Sequence, residues 1–569
     1  MADGKPGYRQ AGRAAEKPEG RDVPRTASLP ETRAAATQPF VKKKSHAPRT
    51  ALDLETPSGF RPYLLTAAQE ALFSMMKFDQ PADGILSAYF KSHSKLGQRD
   101  RAFVAESAFG VLRHRATLEA ITPRHDARAL VIAWLARFGG RSLRDIAPVL
   151  SEEETEIYTA VRGASMETLP VHVRAELPEW VVERLSPTMS EAELLELGRA
   201  LQTSAPLDLR VNTLRAKRDD VLARLNADGL EATATPYSPI GIRLAGHPSI
   251  NRHPGFLEGD FEVQDEGSQL IGYLVAPKRT DLVIDFCTGA GGKALMLGAM
   301  MQSKGRLYAF DVSSARVARL GPRLRRSGLS NLHPEVISSE NDTRVKRLAG
   351  KVDRVLVDAP CSGFGTLRRN PDLRYRHSPV SITELVAKQT GILRAAARLV
   401  RPGGRLVYAT CSLLPEENQA IVDDFLAHDP SFALLNAKDI LARSGIDVAD
   451  QSNDCLQLWP HHHRTDGFFA AVLEKKAAPV PAKVEEGAVK QGSVEEARDK
   501  GPDESADIAP AEAPPVEAIA VEAAPVEAAP VEAALKEEAS ADEAPAEAAA
   551  EKAPPKVAPR ARKKRPKKA

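Results

Sequence analysis

Residues 281–293 read DLVIDFCTGAGGK. A short apolar run ends in an acid and breaks into a glycine-rich turn. Glycines there let the backbone turn sharply and approach a ligand without a Cβ in the way. The spacing predicts strand, turn, helix. The same pattern repeats downstream, with strand candidates at RLYAFDV (306–312), DRVLVDA (353–359), RLVYATC (405–411) and FFAAVLE (468–474). Several are nearly continuous apolar runs, as expected of parallel strands covered on both faces. Residues 271–476 are therefore expected to form a doubly wound, Rossmann-like α/β domain.

Upstream of that domain the pattern changes twice. Residues 165–270 mix short elements. Leu207 to Asn212 alternates like a strand, Arg218 to Ala227 reads as a helix, and Glu231 to Pro236 and Ile240 to Leu244 read as strands. A small α+β module is expected. Residues 59–164 look helical, with apolar residues returning every three or four positions in 67–76 and 100–114. Phe103, Ala108, Val111 and Leu112 should form a buried stripe.

The two ends differ from the body. Residues 1–58 are rich in Arg, Lys, Pro and Ala and read as a disordered basic arm. Residues 477–569 are rich in Ala, Pro, Glu and Val, with Val-Glu-Ala recurring at Val516, Val521, Val526 and Val531. Scattered prolines oppose a continuous helix there, so a disordered tail is expected. Residues 501–550 carry a net −12 and residues 551–569 a net +8, while residues 51–500 sum to zero. Any nucleic-acid surface on the body must then be a local patch. The basic ends suit non-specific contact with RNA phosphates.

Four cysteines (Cys287, Cys361, Cys411, Cys455) are too few for a disulfide scaffold, and none has CxxC spacing. The N-terminus has no apolar signal region, and the run Ala129 to Leu135 is far too short to span a bilayer. A reduced cytoplasmic protein with no membrane partner is expected. His461-His462-His463 is not expected to bind a metal, because adjacent residues on a strand point to opposite faces.

The chemistry should sit at the strand ends. Asp311 closes the second strand about twenty residues after the glycine turn, where an acid can accept hydrogen bonds from ribose hydroxyls. With Asp342 after the next segment, this points to an adenosine cofactor. Asp358-Ala359-Pro360-Cys361-Ser362-Gly363 follows an apolar strand, and Ala409-Thr410-Cys411-Ser412 ends another. Ligands bind at that edge in open α/β folds. Two cysteines sharing it invite covalent catalysis.

DFCTGAGGK (285–293), DAPCSGFG (358–365), YATCSLLPEEN (408–418) and DGFF (466–469) resemble the motifs of the Nop2/Sun group of RNA cytosine-5 methyltransferases. RVNTLR (210–215), QDEGSQL (264–270) and RRNPDLRYR (368–376) resemble further signatures of that group. LGQRDRAFVAESAFGVLRH (96–114) resembles the NusB-like domain fused to its bacterial RsmB type. The likeness covers about residues 60–475. It departs at the turn, where Gly289 stands for the usual Ala and Ala290 for the usual Pro.

The resemblance implies a helical NusB-like bundle, an RRM-like α+β module and a class I methyltransferase domain. It implies S-adenosylmethionine as cofactor and small-subunit ribosomal RNA as partner, with DNA excluded and a monomer expected. Cys411 would be the nucleophile, Cys361 would assist product release, Asp358 would hold the base at N3, and Lys293 would lie near the reacting centre. Thr288, Gly289, Ala290, Gly291, Gly292, Lys293, Ala294, Asp311, Asp342 and Asp358 would hold the cofactor. Residues 316–376 carry a net +8. Arg368, Arg369, Arg374 and Arg376, with Tyr375 between them, are expected to grip a single strand by charge and stacking. The same chemistry on transfer RNA, and a catalytically silent ribosome-assembly factor, remain alternatives.

Overall fold

A bundle of helices opens the folded body: Pro62–Met75, Ala82–Ser92, Gln98–Arg113, Arg115–Ile121, Ala127–Arg137 and Glu152–Gly163. The computed structural model describes residues 61–449, 451 and 454–477. The expected basic arm (1–58) and the tail from residue 478 onward lie outside the described residues. Phe103, Ala108, Val111 and Leu112 are fully buried, as their spacing requires. The run 129–135 belongs to the central helix of this bundle, which is apolar all round because neighbours cover it on every side. Gly110 lets that helix close in, since a Cβ there would meet the Trp134 ring at 2.2 Å. Among the described residues, no helix is long and apolar enough to cross a membrane.

Three helices follow at Val171–Arg174, Glu179–Leu185 and Glu191–Gln202. Val181, Leu185, Leu194, Leu197 and Leu201 pack with Phe364, Leu367, Leu413 and Leu414. This segment therefore buttresses loops of the α/β domain rather than the small sheet that comes next. That sheet contains β1 (Leu207–Val211), β2 (Ala232–Ala234), β3 (Gly241–Leu244) and β4 (Phe261–Val263). All pairs are antiparallel, in the order β2-β3-β1-β4. With helices after β1 and before β4, this is the β-α-β-β-α-β ferredoxin-like arrangement.

The last domain is built on β5 (Leu282–Asp285), β6 (Arg306–Asp311), β7 (Leu332–Val336), β8 (Val352–Asp358), β9 (Val400–Thr410), β10 (Phe432–Leu435), β11 (Leu456–Leu458) and β12 (Phe468–Lys475). The order is β10-β12-β9-β8-β5-β6-β7, with β11 on β12. β5 to β9 are parallel. Adjacent residues feed opposite cores: Leu356 and Val407 one, Val355 and Leu406 the other. That two-sided burial is why these strands read as apolar runs.

FFAAVLE, one of the strand candidates of the doubly wound pattern, is antiparallel to both β9 and β10. It looked like a parallel strand because it lies inside the sheet and is buried on both faces, whatever its direction. β7 escaped notice because Pro334 interrupts it, which an edge strand tolerates. The strand order reverses between β5 and β8, so the switch-point crevice opens at the carboxyl ends of those two strands.

Candidate active site

The turn after β5 is held by its own backbone and by two acids. Gly291 N–H donates to Thr288 O at 2.8 Å, and Thr288 N–H to Phe310 O at 2.8 Å. Gly289 N–H donates to Asp311 Oδ2 at 2.9 Å, and Ser313 N–H to Asp311 Oδ1 at 2.8 Å. Gly289 has φ +55° and Gly291 φ +85°, both left-handed. Glycine at 289 thus relieves a conformation an alanine resists. Among the described residues, nothing lies within 4 Å of where a Cβ on Gly289 would be, so the turn is open on that side.

Asp285, at the end of β5, is buried and was not assigned a role from sequence. Its Oδ2 accepts from Thr288 Oγ1 at 3.1 Å, while Oδ1 has no partner among the described residues. Burial, helped by the charge of Asp358, pushes its pKa up to about 7. An open glycine turn, an acid at the end of the second strand and an orphaned buried carboxylate oxygen fit a cationic adenosine cofactor. Thr288 to Ala294, Asp311 and Asp285 are the residues that would hold it. Asp342 fits less well. Its carboxylate accepts from Ser338 N–H at 2.9 Å and Arg344 N–H at 2.9 Å, and the Arg344 guanidinium holds it well below the usual range.

The small module reaches this turn. Arg210 of β1 donates to Gly292 O at 2.6 Å and to the side chain of Gln264. Arg323 donates to Ala290 O at 2.9 Å and to Glu262 of β4 at 3.1 Å. The motifs RVNTLR and QDEGSQL therefore dock one domain onto the turn of another.

Across the crevice, Lys293 Nζ lies 2.7 Å from Asp358 Oδ2 and 5.5 Å from the centre of the Phe468 ring. Cys361 Sγ and Cys411 Sγ are 3.2 Å apart. The two cysteine loops are locked by Glu417, which is fully buried. Glu417 accepts from Ser362 N–H at 2.9 Å, Gln389 Nε2 at 2.9 Å, Ser362 Oγ at 2.5 Å and the Ser412 hydroxyl. Burial pushes its pKa up while these donors pull it down. Tyr408 Oη caps the network on Glu417 O at 2.7 Å. Ser362, Tyr408, Ser412 and Glu417 stand inside the quoted motifs without an assigned role, and Gln389 lies outside them. A run of small polar residues at an apolar strand end was the available signal.

Cys411 is buried, and its thiol is pushed well above the ordinary value. The hydrogen bond with Cys361 is the first cause and burial the second; Asp358 adds to both and Lys293 opposes them. Cys287 and Cys455 pack in the apolar core beneath the site.

Gly365 joins three motifs. Its N–H donates to Cys411 O at 2.8 Å, and its carbonyl accepts from Gly467 N–H at 2.8 Å. A Cβ there would meet Gly467 O at 2.1 Å and Cys411 O at 2.7 Å. Gly365→Ala is expected to displace the Cys411 backbone and cut turnover by about 10²-fold, as misplacement near 1 Å does. Steady-state kinetics on the folded variant check this; unchanged kcat contradicts it.

The expected RNA-gripping strip is revised, because those side chains are engaged within the protein. Arg368 and Arg369 are both paired with Asp265 and Asp466, at 2.5 to 3.3 Å. Arg374 is buried, donates to Arg113 O at 2.9 Å and faces Glu176 at 3.8 Å. Tyr375 lies against Phe78, ring centres 5.1 Å apart, with Arg115 4.9 Å over its ring. Arg376 pairs with Asp372 at 3.6 Å. This segment fastens the catalytic domain to the helical bundle. Its charge density resembled a nucleic-acid strip because the paired acids, Asp265, Asp466 and Glu176, lie far away in sequence.

Fold and crevice together define a class I methyltransferase centre. The family model described as 16S rRNA methyltransferase RsmB/F matches residues 272–474, and an RsmF/B-like ferredoxin-like domain matches residues 177–251. A probable ribosomal RNA small subunit methyltransferase B of Synechocystis is 31% identical over 415 residues, 67% of this chain and 92% of that protein. The ribosomal RNA small subunit methyltransferase B of Klebsiella pneumoniae is 31% identical over 444 residues, 73% of this chain and 98% of that one. The crystal structure of PH0851 superposes with a TM-score of 0.61 at 26% identity, over 73% of this chain and 99% of its own. The chain belongs to the RsmB/F family of 16S ribosomal RNA methyltransferases. It is a ribosomal RNA methyltransferase, and S-adenosylmethionine is its cofactor.

Proposed function

We propose that the enzyme methylates carbon 5 of a cytosine in small-subunit ribosomal RNA through a transient bond between Cys411 and the base. The observation that carries this reading is the pair of sulfurs 3.2 Å apart beside the Asp358–Lys293 pair at the switch-point edge. Carbon 5 of cytosine is a poor nucleophile. Addition of the Cys411 thiolate at carbon 6 converts the ring to an enamine, and carbon 5 then carries the electron pair that takes the methyl group. S-adenosylmethionine supplies that methyl group as an electrophile. Asp358 holds the N3 edge, where negative charge would otherwise build up. Loss of the carbon-5 proton and breakage of the sulfur–carbon-6 bond restore the aromatic ring, with Cys361 assisting release. The base must be swung out of its stack to expose carbon 6 to a buried sulfur.

A thiol pushed upward is protonated at neutral pH, and only the thiolate attacks. kcat/KM is therefore expected to rise about tenfold per pH unit from neutrality upward, until the thiol ionises or the protein unfolds. A pH–rate profile flat from pH 7 to 9 contradicts this sign.

Substrate and position are tested together. The protein is incubated with labelled S-adenosylmethionine and unmodified small-subunit RNA, then 5-methylcytosine is mapped by bisulfite sequencing. One site of protected cytosine is expected. Label on adenine or guanine defeats the proposal, and product on transfer RNA alone moves the substrate to transfer RNA.

A further inference from the structure

We propose that Glu193, His461 and His462 form a binding site for a divalent transition-metal ion, with zinc the ion that suits the donors. Their ligand atoms all lie within 4.8 Å of one another. Two imidazoles and a carboxylate are a zinc donor set, with one position left over. The sequence had argued against chelation on the ground that residues 461–463 lie on a strand. They lie instead on a helical turn, Pro460–His463, which swings the rings of His461 and His462 to 4.0 Å between centres.

The telling residue is His461. Its side chain is 4% exposed, and among the described residues neither Nδ1 nor Nε2 has a hydrogen-bond partner. Burying an imidazole with both nitrogens unsatisfied is costly. Nε2 stands 3.9 Å from Glu193 Oε1, too far for a hydrogen bond. Tetrahedral zinc with bonds of about 2.0–2.1 Å places its donors roughly 3.4 Å apart, so the pair needs only a small closure to bridge an ion. His463 is excluded from the set, because Trp459 and Ala449 occupy its two nitrogens.

Glu193 lies on the helix Glu191–Gln202, and the histidines directly precede Asp466 and β12. An ion here would clip the buttressing helices to the catalytic domain. His461 also lines an open cleft of about 480 Å³ with Arg199, Arg368 and Arg464, so a fourth position is accessible to water.

The test uses the full-length chain, without a histidine tag and stripped by a chelator, titrated with Zn²⁺ and separately with Co²⁺. The Cys361/Cys411 pair is a competing soft site, so a Cys361→Ala/Cys411→Ala chain is titrated alongside. One ion per chain is expected to persist in that double variant, its cobalt complex showing visible bands without a thiolate charge-transfer band. Glu193→Gln, at a partly exposed position that should not disturb folding, and His461→Ala are each expected to weaken Zn²⁺ binding at least about 10-fold. Zn²⁺ should raise the melting midpoint of the wild type and not of these variants. Equal affinity in wild type, Glu193→Gln and His461→Ala overturns the site. Binding that vanishes in the double cysteine variant, or no binding in the micromolar range, overturns it too.

Discussion

Cys411→Ala is expected to abolish methyl transfer, a loss on the order of 10⁴-fold or more, because the proposed mechanism begins with addition of this sulfur to carbon 6. Cys361 cannot simply replace it. Cys361 sits on the loop after β8, and Gly365 and Glu417 hold that loop in register with the Cys411 loop. Cys361→Ala should fail differently. Bond formation to Cys411 proceeds, methyl transfer proceeds, and release slows, so a protein–RNA adduct accumulates. Denaturing gels with end-labelled RNA separate the two outcomes. Adduct in Cys411→Ala, or turnover in Cys411→Ala near the wild-type rate, removes the assigned roles.

The second large effect concerns stability. Asp466 is buried, and with Asp265 it neutralises Arg368 and Arg369. Burial, then the charge of Asp466, pushes Asp265 up to about 6. Burial also pushes Asp466 upward, but the charges of Arg369 and Arg368 outweigh it and hold its carboxyl below the usual range. Asp466→Ala would leave two guanidinium groups facing a single carboxylate, Asp265. Breaking a buried ion pair from one side costs about 3–5 kcal/mol. The same backbone feeds Gly467 N–H to Gly365 O, so the catalytic loops should loosen as well. Denaturant unfolding of Asp466→Ala and Asp466→Asn checks this, and both should lose a large share of stability. A midpoint unchanged in both contradicts the account of the cluster.

The order of domains and the edge that carries the chemistry were legible because they depend on local signals. Two-sided burial writes apolar runs into β5, β8 and β9, and each run stops at a chemical residue: Asp285, Asp358, Cys411. What was not legible depends on pairing across long sequence distances. Arg368 and Arg369 find Asp265 about 100 residues upstream and Asp466 about 100 residues downstream. Glu417 binds Ser362 across 55 positions. A charge count sees the arginines and not their partners, so it assigned packing residues to RNA. The helices of 171–202 were missed although part of their signal is local: Leu194, Leu197 and Leu201 return at helical spacing behind the N-cap Ser190. Their apolar faces pack on Phe364, Leu413 and Leu414.

The central claim is a covalent bond from one named sulfur, and it can be weighed directly. Small-subunit RNA carrying 5-fluorocytidine retains fluorine where the proton should leave, so release is blocked after methyl transfer. The wild-type protein is incubated with this RNA and S-adenosylmethionine, digested, and analysed by mass spectrometry. The account predicts a methylated fluorocytidine attached to the peptide containing Cys411, and none with Cys411→Ser. Attachment at Cys361, or a stable absence of adduct in an enzyme that methylates the unfluorinated RNA, contradicts it.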